Sequence, residues 1–113
     1  PIATLGTNST GSENTAIGMQ ALKANTTASS GTAVGYRALY SNTTGNNNTG
    51  VGYTALFANT SGTANAAFGT FSLDANTTGS SNTAIGYGTL TASEPAENNT
   101  AVGRNAGLSI TSG

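Results

Sequence analysis

Large apolar residues are scarce in this chain, but they fall in phase. Gly18, Gly35, Gly52, Gly69, Gly86 and Gly103 stand seventeen residues apart. Immediately before them come Ile17, Val34, Val51, Phe68, Ile85 and Val102. Four residues after the first five come Leu22, Leu39, Leu56, Leu73 and Leu90. Three residues further, Asn25, Asn42, Asn59 and Asn76 open polar turns such as Asn42-Thr43-Thr44-Gly45. A fixed short period of this kind marks a repeat array. Counted from Asn14 as position one, the units are 14–30, 31–47, 48–64, 65–81, 82–98 and 99–113, after a partial unit 1–13.

Seventeen residues cannot hold two helices and a turn, and the apolar spacing is not helical. Gly, Asn and Thr in every unit also disfavour helix. The pattern therefore predicts an all-β fold, a parallel β-solenoid or β-roll with one unit per coil. Coils stacked at roughly 4.8 Å would give a rod about 30 Å long.

Position four (Ile17, Val34, Val51, Phe68, Ile85, Val102) holds strong strand formers and is expected to pack inward. The leucines at position nine are expected to face it across a thin core. Asn-Thr-Thr-Gly supplies turn chemistry, and stacked asparagines predict hydrogen-bonded ladders along the rod. Alternation along the strand then places a second strip on the outside. Its members are Ala16, Gly18, Ala33, Gly35, Gly50, Gly52, Ala67, Gly69, Ala84, Gly86, Ala101 and Gly103. Small residues let another backbone approach, so this strip is the expected subunit interface. The competing reading is that the glycine turns a corner and the alanine fills a tight core.

Composition narrows the function. Ser, Thr, Asn and Gly make up more than half of the chain, and charged residues are 6% against the usual ~25%. An uncharged surface of hydroxyls and amides suits an extracellular, cell-surface or virion protein. Three cations, Lys23, Arg37 and Arg104, are too few to neutralise a nucleic-acid backbone. No apolar run reaches the length that membrane insertion needs. The start at Pro1 and the end inside a unit read as a piece of a longer fibre.

Catalytic chemistry finds no constellation. The chain has no His and no Cys, which removes the common nucleophile–base pairs. Glu94 and Glu97 lie in the one irregular turn, where carboxylates are solvated. Calcium-binding β-rolls need an aspartate column, and Asp74 is the sole aspartate. The chain therefore reads as non-enzymatic, with no metal and no cofactor. Asn-x-Ser/Thr at Asn8, Asn25, Asn42, Asn47, Asn59, Asn76 and Asn98 matches the N-glycosylation pattern, although turn chemistry generates most of these matches. Tyr36, Tyr53 and Tyr87 at position six, with Tyr40 and Phe57 at position ten, are the candidate ligand contacts, for instance with a host-surface glycan or receptor.

The unit Gly-Thr-Ala-Val-Gly-Tyr-Arg-Ala-Leu-Tyr-Ser-Asn-Thr-Thr-Gly-Asn-Asn at 31–47 resembles a repeat of bacteriophage tail-fibre and particle-surface proteins. It is similar, more loosely, to the Ala-Ile-Gly phrase of trimeric autotransporter adhesin heads of the YadA type. That resemblance implies a parallel homotrimer that spaces or presents a receptor-binding tip. Two other readings are weighed beside it: a secreted filament of single-chain solenoids stacked end to end, and an ice-binding solenoid using the turn column Thr26, Thr43, Thr60 and Thr77.

Overall fold

The computed structural model describes residues 4–92 and 96–108. Its strands are β1 Thr15–Ile17, β2 Thr32–Val34, β3 Thr49–Val51, β4 Ala66–Phe68, β5 Thr83–Ile85 and β6 Thr100–Val102. They lie side by side in chain order in one sheet, every pair parallel and offset by one unit. Thr15 pairs with Thr32 and Ile17 with Val34, and the same register ends with Ile85 against Val102. The chain is the predicted β-solenoid, 34 × 22 × 17 Å, with no helix among the described residues.

Each strand stops after three residues because position five is a glycine that another residue cannot replace. Gly52 has φ +134°, and a Cβ there would sit 2.7 Å from the backbone of Gly69 in the next coil. The glycine column thus sets how closely coils stack. It is a requirement of the single chain, as the competing reading held.

The core is one leucine deep. Leu22, Leu39, Leu56, Leu73 and Leu90 are fully buried, and all of them lie at turns with φ between 50° and 55°. A β-branched side chain is a true outlier in that left-handed region. The backbone therefore selects Leu here over Ile or Val. Opposite and beside the leucines lie Ala33, Ala67 and Ala84 at position three and Ala21, Ala38 and Ala55 at position eight, all with 0% exposure.

This arrangement reverses the expected faces. The alanines at position three point into the coil, while position four faces outward: Phe68 and Ile85 are exposed, Val34 and Val51 half-buried, and Ile17 and Val102, on the two edge strands, the most exposed. Ala33, Ala67, Ala84 and Ala101 are buried and Ala16 is half-buried, so the alanines of the expected interface strip fill the core instead of facing outward; of its glycines, Gly50 is buried and Gly18 and Gly103 are exposed. The reason is space. A rod 17 Å in its shortest dimension holds one leucine layer between its backbone walls and leaves alanine-sized room opposite. Ile, Val and Phe are forced outward.

Polar ladders close the rest of the interior. Asn59 Nδ2 donates to Asn42 Oδ1 at 2.8 Å and to Gly62 O at 3.0 Å, and Asn76 Nδ2 donates in turn to Asn59 Oδ1 at 2.9 Å. A second column runs through Asn48, Asn65 and Asn82, whose Oδ1 atoms accept the backbone N–H of Asn65, Asn82 and Asn99. At the turn, Thr43 O accepts the N–H groups of Thr26, Thr27 and Ala28, each at 3.2 Å. Nearly every interior amide is matched one coil away, as buried polar groups must be. The irregular turn at 93–95 lies outside the described residues.

Candidate interaction surface

The outward face of the sheet is built by alternation. Each strand sends its middle residue inward and its two flanking residues outward. One flank is Thr15, Thr32, Thr49, Thr83 or Thr100, with Ala66 in the fourth coil; the other is the Ile/Val/Phe column. Parallel pairing repeats this face without a slip in register along the rod.

Beyond the glycine corner stands position six. Of the eight exposed large hydrophobics among the described residues, seven occupy positions four and six: Ile17, Met19, Tyr53, Phe68, Ile85, Tyr87 and Val102. Every coil but the second contributes at least one of them; in the second, Val34 and Tyr36 are half-buried. Exposed apolar side chains gathered on one side of a protein mark a candidate interaction site.

Aromatic rings border the stripe. Tyr36 stacks on Tyr53 with centroids 5.2 Å apart and planes 17° apart. Phe71 meets Tyr53 at 5.5 Å and Tyr87 at 5.7 Å, both edge to face. Tyr40 stacks on Phe57 at 5.2 Å. The sequence pattern singled out five of these rings and missed Phe71, which lies at position seven. The signal for it is that position six in that coil is Thr70, so the ring one residue later fills the gap in the ladder. Stacking also spends ring faces on neighbouring rings, which leaves less of them for a sugar than separate tyrosines would.

All three cations lie against this ladder. Lys23 Nζ is 5.6 Å from the Tyr40 ring, Arg104 Cζ 5.4 Å from Tyr87, and Arg37 Cζ 5.0 Å from Tyr36 and 5.3 Å from Tyr40. Arg37 Nε also donates to Gln20 Oε1 at 2.6 Å. Each cation–ring contact contributes about 0.5–1 kcal/mol at an exposed site. Asp74, in the column of Lys23, Tyr40 and Phe57, is half-buried, and desolvation raises its pKa above 3.8 against the opposing effect of two backbone N–H donors.

The threonine columns divide by what their hydroxyls do. In the turn, Thr26, Thr43 and Thr60 Oγ1 donate to the carbonyls of Thr43, Thr60 and Thr77. On the sheet, the hydroxyls of Thr15, Thr32, Thr49, Thr83 and Thr100 make no hydrogen bond within the described chain. The sequons divide in the same way. Asn25, Asn42, Asn59 and Asn76 are fully buried in the ladder, whereas Asn8, Asn47 and Asn98 are exposed.

Among the described residues there is no pocket and no group of His, Cys, Asp and Glu that could hold a metal ion. No family model, curated protein or solved structure matches the chain.

Proposed function

We propose that this chain is a non-enzymatic fibre segment of an extracellular or virion surface, a stiff spacer whose chains associate in parallel along the outward face. One observation carries the reading. The stripe of Ile17, Met19, Tyr53, Phe68, Ile85, Tyr87 and Val102 gathers seven of the eight exposed large hydrophobics among the described residues in the two columns that flank the glycine corner. The repeat geometry supports parallel contact, since a column that recurs every coil adds the same increment of contact at each step. Three chains around an axis bury the Ile/Val/Phe column of each chain, and the aromatic ladder, Tyr53 and Tyr87 included, stays open at the rim. A tip presented on such a fibre is presented three times over, which raises avidity without new contacts.

The test is a charge placed on the stripe. Phe68→Asp and Ile85→Asp project outward, so they leave the coil spectrum by circular dichroism unchanged. Sedimentation velocity should show the assembly falling to single chains. An assembly mass untouched by both substitutions overturns the seam, and so does an open-ended series of masses, the sign of end-to-end stacking.

A second reading of the same face rests on the free sheet hydroxyls. The Thr-x-Ile/Val columns, with unbonded Oγ1 atoms and a break at Ala66 and Phe68 in the fourth coil, offer a repeating surface for ordered water. It replaces the turn threonines, whose hydroxyls are spent on the coil ladder. The two readings exclude each other, because a face buried between chains cannot meet ice. Thermal hysteresis in dilute solution decides for ice binding; its absence removes that reading.

A further inference from the structure

The chain has four tyrosines and no cysteine, so no disulfide can tie one coil to the next. Two of the tyrosines are nevertheless held as a pair. Tyr36 and Tyr53, one unit apart, stack with centroids 5.2 Å apart and planes 17° apart. The other two have no tyrosine beside them: Tyr40 stacks on Phe57, and Tyr87 meets Phe71 edge-on. Tyr53 is 48% exposed and Tyr36 is half-buried. Neither phenol oxygen is hydrogen-bonded within the described chain. The pair is therefore open to a small oxidant and free to tilt toward a closer approach.

We propose that Tyr36–Tyr53 is an oxidative modification site at which the two side chains couple to dityrosine, a covalent staple between adjacent coils. The co-reactant is hydrogen peroxide, used through a haem peroxidase. Each phenol gives up one electron and its hydroxyl proton, leaving two tyrosyl radicals, while the peroxide takes up two electrons and two protons and becomes two waters. A carbon ortho to each oxygen contributes one electron to a new carbon–carbon bond. The hydrogen on each of those carbons then moves to the oxygen, restoring both aromatic rings and both phenols. The net change in the protein is the loss of two hydrogens.

Stacking supplies what this reaction otherwise lacks. Free tyrosyl radicals must find each other by diffusion, whereas a pair held in contact reacts as a single unit with a high effective concentration. The product closes a loop of one repeat unit. Such a link limits the unfolded chain in the way a disulfide does, so the staple raises the unfolding midpoint. It forms within one chain and does not depend on how chains associate.

The experiment treats the whole chain with a haem peroxidase and hydrogen peroxide at high dilution, then digests it after Lys and Arg. Tyr36 is the only tyrosine in peptide 24–37, and Tyr53 lies in peptide 38–104. The expected product joins these two peptides with the loss of two hydrogens, shows dityrosine fluorescence, and runs as a single chain on a denaturing gel. Tyr53→Phe, which keeps a stacking ring, should abolish it; Tyr40→Phe and Tyr87→Phe should leave its yield unchanged. A joined product of equal yield in Tyr53→Phe overturns the assignment. So does coupling only between chains, or no coupling while added free tyrosine couples in the same tube.

Discussion

Gly50 and Gly52 are two residues apart on the same stretch of coil, yet the fold demands opposite outcomes when each is changed to alanine. At Gly52 the backbone has φ +134°, and a methyl would lie 2.7 Å from the carbonyl carbon and oxygen of Gly69. Both are backbone atoms of the stacked coil and cannot rotate away. The disallowed conformation alone costs about 1–3 kcal/mol, and parting two coils breaks ladder bonds such as Gly69 N–H to Val51 O at 2.8 Å. Gly52→Ala should therefore lose at least ~3 kcal/mol. At Gly50 a methyl points into the core, 3.4 Å from Leu39 Cγ and 3.1 Å from Ala55 O. The neighbouring coils already carry Ala33 and Ala67 there, each at 0% exposure. Burying a methyl contributes about 0.8 kcal/mol, and the smaller unfolded-state entropy about 0.4–1 kcal/mol. The tight contact with Ala55 O offsets part of this, leaving a net gain of roughly 1 kcal/mol for Gly50→Ala. Urea titration followed by circular dichroism measures both, with the slope against urea held as the check that the unfolding reaction is unchanged. Equal destabilisation by the two substitutions would refute the inward placement of position three. A harmless Gly52→Ala would refute the stacking argument.

Asn59→Ala should cost about 1–2 kcal/mol, because Asn48 Nδ2 still serves Asn42 Oδ1 and Gly62 O; Asn59→Asp should cost more, about 3 kcal/mol or above, by burying a carboxylate against the Asn42 oxygen, and chemical denaturation ranks the two. Thr54 is β-branched with φ +53°, and its buried Oγ1 has no partner. Thr54→Asn, which copies Asn105 at the same unit position with φ +57°, should raise stability by about 1 kcal/mol, read as an upward shift in melting temperature. Asp74 has a folded pKa raised above 3.8 by desolvation, so the folded state holds its proton longer than the unfolded state does. Its contribution is complete below 3.8 and is lost as pH rises through the folded pKa. Asp74→Asn should accordingly stabilise the rod at neutral pH and flatten that part of the pH–stability profile.

The period alone makes much of this fold legible. In-phase glycines and asparagines give the coil length, the parallel register and the side-chain ladders, because an uninterrupted repeat can satisfy its backbone only by stacking on itself. The choice of strand face is not legible in the same way. A three-residue strand shows alternation but not which side is inside, and hydrophobicity favours Val34 and Ile85 for the interior. Room decides instead: a leucine entering from a left-handed turn already fills the coil, so alanine takes the inner place. Those turns were hidden too, since Gln20, Arg37 and Phe71 all have positive φ without the glycine or asparagine that usually signals it. The aromatic columns were visible from their spacing, but the part played by Phe71 was not, because it bridges two rings from the adjacent unit position.

The inward alanines leave the outward Ile/Val/Phe face without a partner in a single chain, and its burial between parallel chains is the central claim. Light scattering behind a sizing column, run on the unmodified chain over a range of concentrations, tests it most directly. The expected mass is that of three chains. A mass of one chain at every concentration would contradict it.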